Sequence, residues 1–222
     1  MTKDPISNRL EILMSEAKKL SSSVVSDKGM GRANVLDHKL INFTPNIKLI
    51  GPVHLVKTDG DILPVLQGLD SISPGYILLI EDSIREEALL GDIIMLAAVK
   101  KGVKGLLCSG KIRDISEADN LGISVWAESV SPKAAGLGKF SSPVESVMLA
   151  GVKIESGDWL FGDQDGLVHV PANDARLIIK SASIKDKKER IYKQRMENGE
   201  KLIEMMNVRK HVSSGEAIKV DF

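Results

Sequence analysis

Three β-rich, largely apolar runs, "KLIGPVHLVKT" (Lys48 to Thr58), "GYILLIED" (Gly75 to Asp82) and "GLLCSG" (Gly105 to Gly110), are separated by two stretches with helical spacing. The first of these, "ILPVLQGLDSI", predicts a short helix ending near Gly68, and the second predicts a helix from about Glu87 to Lys101. Apolar strands alternating with helices imply parallel pairing, because a parallel strand can follow its neighbour only through a crossover that covers one face of the sheet. Such crossovers are right-handed, and ligands gather beyond the carboxyl ends of the strands and at helix N-termini. The fold class is therefore α/β, and the strand ends are where a site is to be sought.

The flanking segments complete a mixed architecture. Leu10, Ile12, Leu13, Ala17 and Leu20 follow Pro5 at helical spacing and predict an N-terminal helix, after which "SSSVVSDKGMGRANV" reads as a loop. Beyond Leu121 the texture changes to "ISVWAES", "PVESVMLAGVKI", "GDWLFGD" and "GLVHVP", which predict an antiparallel half. Its "GDQDG" turn, Gly162 to Gly166, fits a hairpin better than a calcium loop, because the EF-hand spacing is missing. A C-terminal helical arm is expected over about residues 173–210. Its basic run "KDKKERIYKQR" is interrupted by acidic residues and carries one aromatic, Tyr192, so a solvated or subunit-packing surface is favoured over RNA binding.

Composition removes several function classes. Thirty basic residues balance thirty acidic ones, so no net charge draws the chain to nucleic acid or to an anionic membrane. The N-terminus lacks a continuous apolar core of a leader, no segment is apolar enough to span a membrane, and the expected location is the cytoplasm. Cys108 is the single cysteine and lies in an apolar run, where a small buried hydrophobe is favoured over a catalytic thiol. His38, His54, His169 and His211 show no metal-ligand spacing, and G-x-S-x-G, Walker and G-x-G-x-x-G motifs are missing. "KAAGLGKF", Lys133 to Phe140, is a glycine-containing loop able to cradle an anion.

What remains is polar chemistry at two element ends. Gly91-Asp92 opens a helix, where unpaired N–H groups and the helix dipole favour a carboxylate or a developing enolate oxygen. Arg113-Asp114 ends the apolar strand, so the guanidinium can grip the same anion as a fork. Asp92 and Asp114 then suit a hard cation such as Mg²⁺. Together they describe a site for a metal-chelated small 2-oxo acid; a helix-capping aspartate and a chance Arg-Asp pair are the bland alternative.

Asp92 and Arg113, separated by twenty residues, with "GKIRD" following, resemble the Asp-x20-Arg-Asp signature of the class II pyruvate aldolases of the 4-hydroxy-4-methyl-2-oxoglutarate aldolase family. The superfamily includes the regulators of ribonuclease E activity. "SSSVVSDKG", "GPVHLVKTDGD", "PGYILLIED", "GVKIESGDWLFGDQDGLVHVP" and "KERIYKQRMENGE" extend the resemblance over most of Ser21 to Glu200. It implies a single aldolase-like domain over residues 1–222, an αββα-type sandwich resembling a swivelling phosphohistidine domain, with a mixed sheet and helices at both termini. It also implies a homotrimer or hexamer with the site at a subunit interface. Substrate binding falls to Gly91, Asp92, Ile93, Ile94 and Arg113, catalysis to Arg113, Asp92 and Glu189 (the last from a neighbouring subunit), and metal binding to Asp114, with Mg²⁺, Mn²⁺ or another divalent cation. The implied activity is a lyase releasing pyruvate, with oxaloacetate decarboxylation beside it; a non-enzymatic regulator binding a ribonuclease or another protein is the alternative. Two departures stand out: the bulky charges Arg85, Glu86 and Glu87, where relatives carry a glycine-rich stretch, and Lys111 before the Arg-Asp pair.

Overall fold

The computed structural model describes residues 5–36, 39–206 and 208. The N-terminal helix is α1 (Pro5–Ala17), followed by α2 (Ser22–Gly29). Small edge strands β1 (Asn34–Leu36) and β2 (Ile41–Asn42) lead to β3 (Leu49–Thr58), α3 (Leu63–Ser71) and β4 (Ile77–Asp82). Next come β5 (Ala88–Leu90), α4 (Asp92–Lys101), β6 (Gly105–Ile112), α5 (Ile115–Leu121) and β7 (Ser124–Val130). The β8–β9 hairpin (Ser146–Leu149, Val152–Glu155), the β10–β11 hairpin (Trp159–Asp163, Gly166–Val170), α6 (Ala172–Glu197) and α7 (Leu202–Met205) close the chain.

The large sheet runs β1-β11-β10-β3-β4-β6-β7-β2, with β5 paired to β6 off this path. β3, β4, β6 and β7 are mutually parallel, as the alternation predicts. Three apolar clusters set the layers. α3, α4 and α5 cover one face of the parallel strands through Val65, Met95 and Ala118 against Val56, Ile80 and Leu106. The opposite face, Leu55, Leu79, Leu107 and Trp126, packs on Leu160, Leu167 and the β8–β9 hairpin. The outer face of β10 and β11, with Trp159, Phe161 and Val168, is covered by α1, α2 and α6. Helices, parallel strands, antiparallel strands and helices thus follow one another as four layers, and the fold is mixed α/β. Among the described residues no helix is long and apolar enough to cross a membrane.

Four expectations are corrected. The stretch after Leu20 is not a loop: the Ser21 side chain accepts the Val24 N–H, and Val24 and Val25 bury against α6, so a short helix forms where serines alone suggested none. The helix expected from Glu87 begins only at Asp92, because Ala88–Leu90 is claimed by the edge of β6 and Gly91 caps the helix. The second half is antiparallel only after β7, which pairs parallel to β6. α3 continues three residues past Gly68 to Ser71, since a glycine lacking a side chain fits where Val56 crosses it. The "GDQDG" turn is the β10–β11 hairpin, as expected. Cys108 is fully buried, and burial pushes its thiol up to about 12, which makes it a core residue.

A Cβ on Gly68 would lie 2.2 Å from Val56 Cγ2. Alanine gains about 1 kcal/mol of helix propensity, but forcing a methyl into a packed core typically costs about 1–3 kcal/mol. Gly68→Ala is therefore expected to lower the urea midpoint with an unchanged slope, despite the better helix former.

Candidate active site

β6 and the α4 N-terminus are brought together by a change of strand partner. β4 pairs with β6 only as far as Ile80↔Cys108; beyond a register shift, β5 pairs with Lys111 and Ile112. The Arg113 N–H donates to the Leu90 carbonyl at 2.9 Å, so the chain leaving β6 is tied to the residue before Gly91. Asp114 then takes a left-handed conformation, φ 56° and ψ 39°, which aspartate tolerates better than most residues. It caps α5, and its carbonyl accepts the Glu117 N–H. That sharp turn swings both side chains back over the start of α4.

Gly91 is the floor on which they lie. A Cβ there would sit 2.7 Å from Asp114 Oδ2 and 3.0 Å from Arg113 Nε. Its φ of −141° is open to any residue, so glycine is required by this close approach rather than by backbone strain. Asp114 Oδ2 accepts the Asp92 N–H at 3.3 Å and lies 3.4 Å from Arg113 Nε. Both side chains are 40% exposed, so this ion pair contributes little to stability, about 0–1 kcal/mol. Its groups are available to a ligand.

The amides of Asp92, Ile93 and Ile94, three of the five implied substrate-binding residues, differ in what they do. Asp92 N–H is engaged by Asp114, and Ile93 N–H by the Asp92 carboxylate at 2.8 Å. Ile94 N–H has no partner among the described residues, as expected for the first turn of a helix. The Ile93 side chain is 76% exposed, whereas Ile94 packs on the α4 core. Asp92 and Asp114 supply oxygen donors only, the set a hard divalent cation takes when water and substrate complete its shell. Among the described residues no three His, Cys, Asp or Glu side chains converge as a full metal cage.

Glu189 is not brought to this place by its own chain. It sits on α6, in the helix layer with α1 and α2, where its carboxylate is 3.4 Å from the buried Lys185. Lys185 also contacts Asp27 at 2.5 Å; burial pulls its ammonium down, and the two carboxylates outweigh this and raise it. The Arg85 and Glu87 charges are committed as well, to Glu128 at 2.8 Å and Lys133 at 2.5 Å. His54 is hydrogen-bonded to Ser71 and His169 to Asp158, both away from Asp92, while His38 and His211 lie outside the described residues. Clefts of about 420 and 390 Å³ lie elsewhere, and neither is lined by Asp92, Arg113 or Asp114, so chemistry rather than concavity marks the site.

The supporting residues were the part hidden from the sequence. The loop "KAAGLGKF" does cradle an anion, but the anion is the chain's own: Gly138 and Lys139 N–H groups, with Leu63 N–H, donate to the buried Asp61 carboxylate. The same loop runs beside β5, where Ala88 N–H donates to Lys133 O and Ala135 N–H to Ala88 O. Asp82, fully buried, accepts N–H bonds from Gly60, Ile84 and Arg85 and fixes the bend between β4 and β5. Asp-Gly in "KTDGD" and the glycines of the loop were the available signals.

An arginine and two aspartates are thus gathered at a helix N-terminus, past the ends of parallel strands, in a mixed α/β fold. The RraA-like family model, described as Aldolase/RraA, matches residues 22–169, and the chain belongs to this family. The chain is 27% identical over 179 residues to the "Putative 4-hydroxy-4-methyl-2-oxoglutarate aldolase" of Halalkalibacterium halodurans, covering 78% of this chain and 82% of that protein. Two solved structures show the same fold. A Pseudomonas syringae protein has a TM-score of 0.74 at 20% identity, over 87% of this chain and 96% of its own. The RNA-processing inhibitor RraA of Thermus thermophilis has 0.61 at 23%, over 66% and 92%.

Two outcomes follow from the geometry. Gly91→Ala is expected to displace Asp114 and Arg113 and so to weaken ligand binding at the site by at least about tenfold, the equivalent of about 1.4 kcal/mol, with the melting temperature nearly unchanged. Titration calorimetry with pyruvate and differential scanning calorimetry check the two halves. For Asp61, burial alone pushes the carboxyl up, but the Leu63, Gly138 and Lys139 N–H groups and the Lys139 charge outweigh it and hold it below its ordinary value. Its contribution is therefore present above the unfolded value of about 3.9 and is lost as pH falls through the lower folded value. The stability gap between wild type and Asp61→Asn should hold constant from pH 7 to about pH 5 and shrink below about pH 4; a gap unchanged in acid would refute the assignment.

Proposed function

We propose that the protein is a divalent-metal-dependent carbon–carbon lyase, a class II pyruvate aldolase acting on a 4-hydroxy-2-oxo acid of the 4-hydroxy-4-methyl-2-oxoglutarate type and decarboxylating oxaloacetate as a side activity. The observation that carries this reading is the folding of Arg113 and Asp114 over Gly91, beside the open Ile94 N–H. Mg²⁺ or Mn²⁺, when bound, supplies a Lewis acid for the 2-oxo acid. Asp114 would hold it, with Asp92 in the same oxygen-donor set.

The chain's own residues do the rest. Arg113 clamps the substrate carboxylate and faces the oxygen on which charge grows as the C3–C4 bond breaks; the α4 N-terminus adds its dipole and the Ile94 N–H. The 4-hydroxyl proton leaves as the carbonyl product departs, and the pyruvate enolate is then protonated at C3. Asp92 orients a water that moves these protons. Oxaloacetate loses CO₂ to give the same enolate. Glu189 reaches the site from a neighbouring subunit of a homotrimer or hexamer in the cytoplasm, and the exposed Ile93 and Ile115 beside the site suit such an interface.

Arg113→Lys keeps the charge and loses the planar fork. It is expected to lower kcat/KM for oxaloacetate by about 100-fold or more, with folding unchanged, since one lost transition-state donor costs on the order of 3 kcal/mol. EDTA-treated protein is expected to be inactive until Mg²⁺ or Mn²⁺ is returned; full turnover without metal would refute the mechanism. The fold shared with the Thermus RNA-processing inhibitor favours a second reading, a regulator that binds a ribonuclease or another protein. Ribonuclease capture by a preparation that releases no pyruvate from a panel of 4-hydroxy-2-oxo acids would favour it.

A further inference from the structure

β3 changes neighbours along its length and leaves part of one edge unpaired. From Leu49 to Pro52 it pairs with β10, and from Val53 to Thr58 with β4 on the opposite edge. The last bonds on the β10 side are Val53 N–H to Asp158 O, at 2.7 Å, and Gly157 N–H to Val53 O, at 2.9 Å. Backbone groups alternate between the two edges of a strand, so Val53, Leu55 and Lys57 direct theirs away from β4. Val53 is satisfied; among the described residues nothing meets the N–H or C=O of Leu55 or Lys57.

This is no ordinary exposed sheet edge. Leu55 is only 6% exposed, and the unpaired groups line a cleft of about 390 Å³ between α3 and the segment Ser141 to Val144. Lys57 is exposed, but in a residue as buried as Leu55 peptide groups without partners are costly. The walls present Gln67, Ser71, Ser142 and Ser156. His54 shares a hydrogen bond with Ser71 at 3.2 Å, and burial holds its imidazole below the ordinary value, hence neutral at pH 7. The Lys57 ammonium is taken by Glu81 at 3.1 Å. Nothing in the walls offers an uncommitted charge.

We propose that this gap in the sheet is a docking groove for an extended, uncharged segment of a partner polypeptide, which adds as a strand to the Leu55 and Lys57 edge between α3 and residues 141–144. The occupant is fixed by the vacancy: N–H and C=O pairs two residues apart are the repeat of a β ladder, and strand addition draws affinity from such main-chain bonds. Short hydroxyl or aliphatic side chains suit a lining that mixes the serine and glutamine groups with Pro64, Pro143 and Val144. The groove lies apart from Asp92, Arg113 and Asp114, and the proposal is independent of the lyase reading.

The probe is the blocked pentapeptide acetyl-Ser-Val-Ser-Val-Ser-amide, with its fully N-methylated form as the control, added to the full chain while amide hydrogen exchange is followed by NMR. Without peptide, Leu55 and Lys57 are expected to exchange faster than the paired His54 and Val56. At ten times its Kd the pentapeptide should slow both by about tenfold, as occupancy requires. The N-methylated form should have no effect, and Gln67→Trp, an exposed change that fills the cleft, should abolish protection while leaving the melting temperature in place. Absence of protection at millimolar peptide, or equal protection by the N-methylated form, overturns the proposal. Protection that rises with protein concentration alone also overturns it, since a second copy would then be the occupant.

Discussion

The close approach of Arg113 and Asp114 to Gly91 depends on a missing Cβ and on a strand that stops early. Had β4 continued beside β6, no place would exist for β5, and the start of α4 would lie away from the end of β6. Because β4 ends at Asp82 and β5 takes over at Lys111, a helix N-terminus and a strand C-terminus meet edge to edge. Leu90 O and Arg113 N–H pin the meeting point, and the left-handed Asp114 aims both side chains at it. An exposed ion pair of this kind adds little stability. Its geometry is maintained by the surrounding backbone.

That backbone is held by carboxylates that never touch the site. Asp82 gathers the N–H groups of the bend before β5, and a Cβ on Gly110 would lie 2.8 Å from its Oδ2, so the bulge in β6 is shaped around it. Asp61 anchors the loop that flanks β5 on the other side. Lys133 links that loop to Glu87, whose carboxylate raises the ammonium's pKa. The charges of Arg85 and Glu87 therefore brace the rim, through Glu128 and Lys133.

The parallel core was legible because strands buried on both faces must be continuously apolar, and "GYILLIED" and "GLLCSG" are. That Asp92, Arg113 and Asp114 come together was legible because a helix start and the end of a buried parallel strand fall at the same edge of the sheet. Other elements escaped for physical reasons. α2 depends on burial of Val24 and Val25 against a helix about 150 residues later in the chain, which no local pattern records. β5 is three residues long and exists only because β6 offers an edge. Asp61 and Asp82 look in sequence like ordinary turn aspartates; their burial comes from the tertiary fold. Glu189 illustrates the opposite case, since the resemblance assigns it a role that its own chain does not position.

On the proposed lyase reading, this meeting point recognises an enolate rather than a ground-state acid. Oxalate presents the planar oxygen pair of pyruvate enolate, and titration calorimetry can compare it directly with pyruvate in the presence of Mg²⁺. The account predicts that oxalate binds at least about 100-fold more tightly than pyruvate, as a mimic of the reacting state should. Equal dissociation constants for the two ligands would contradict it.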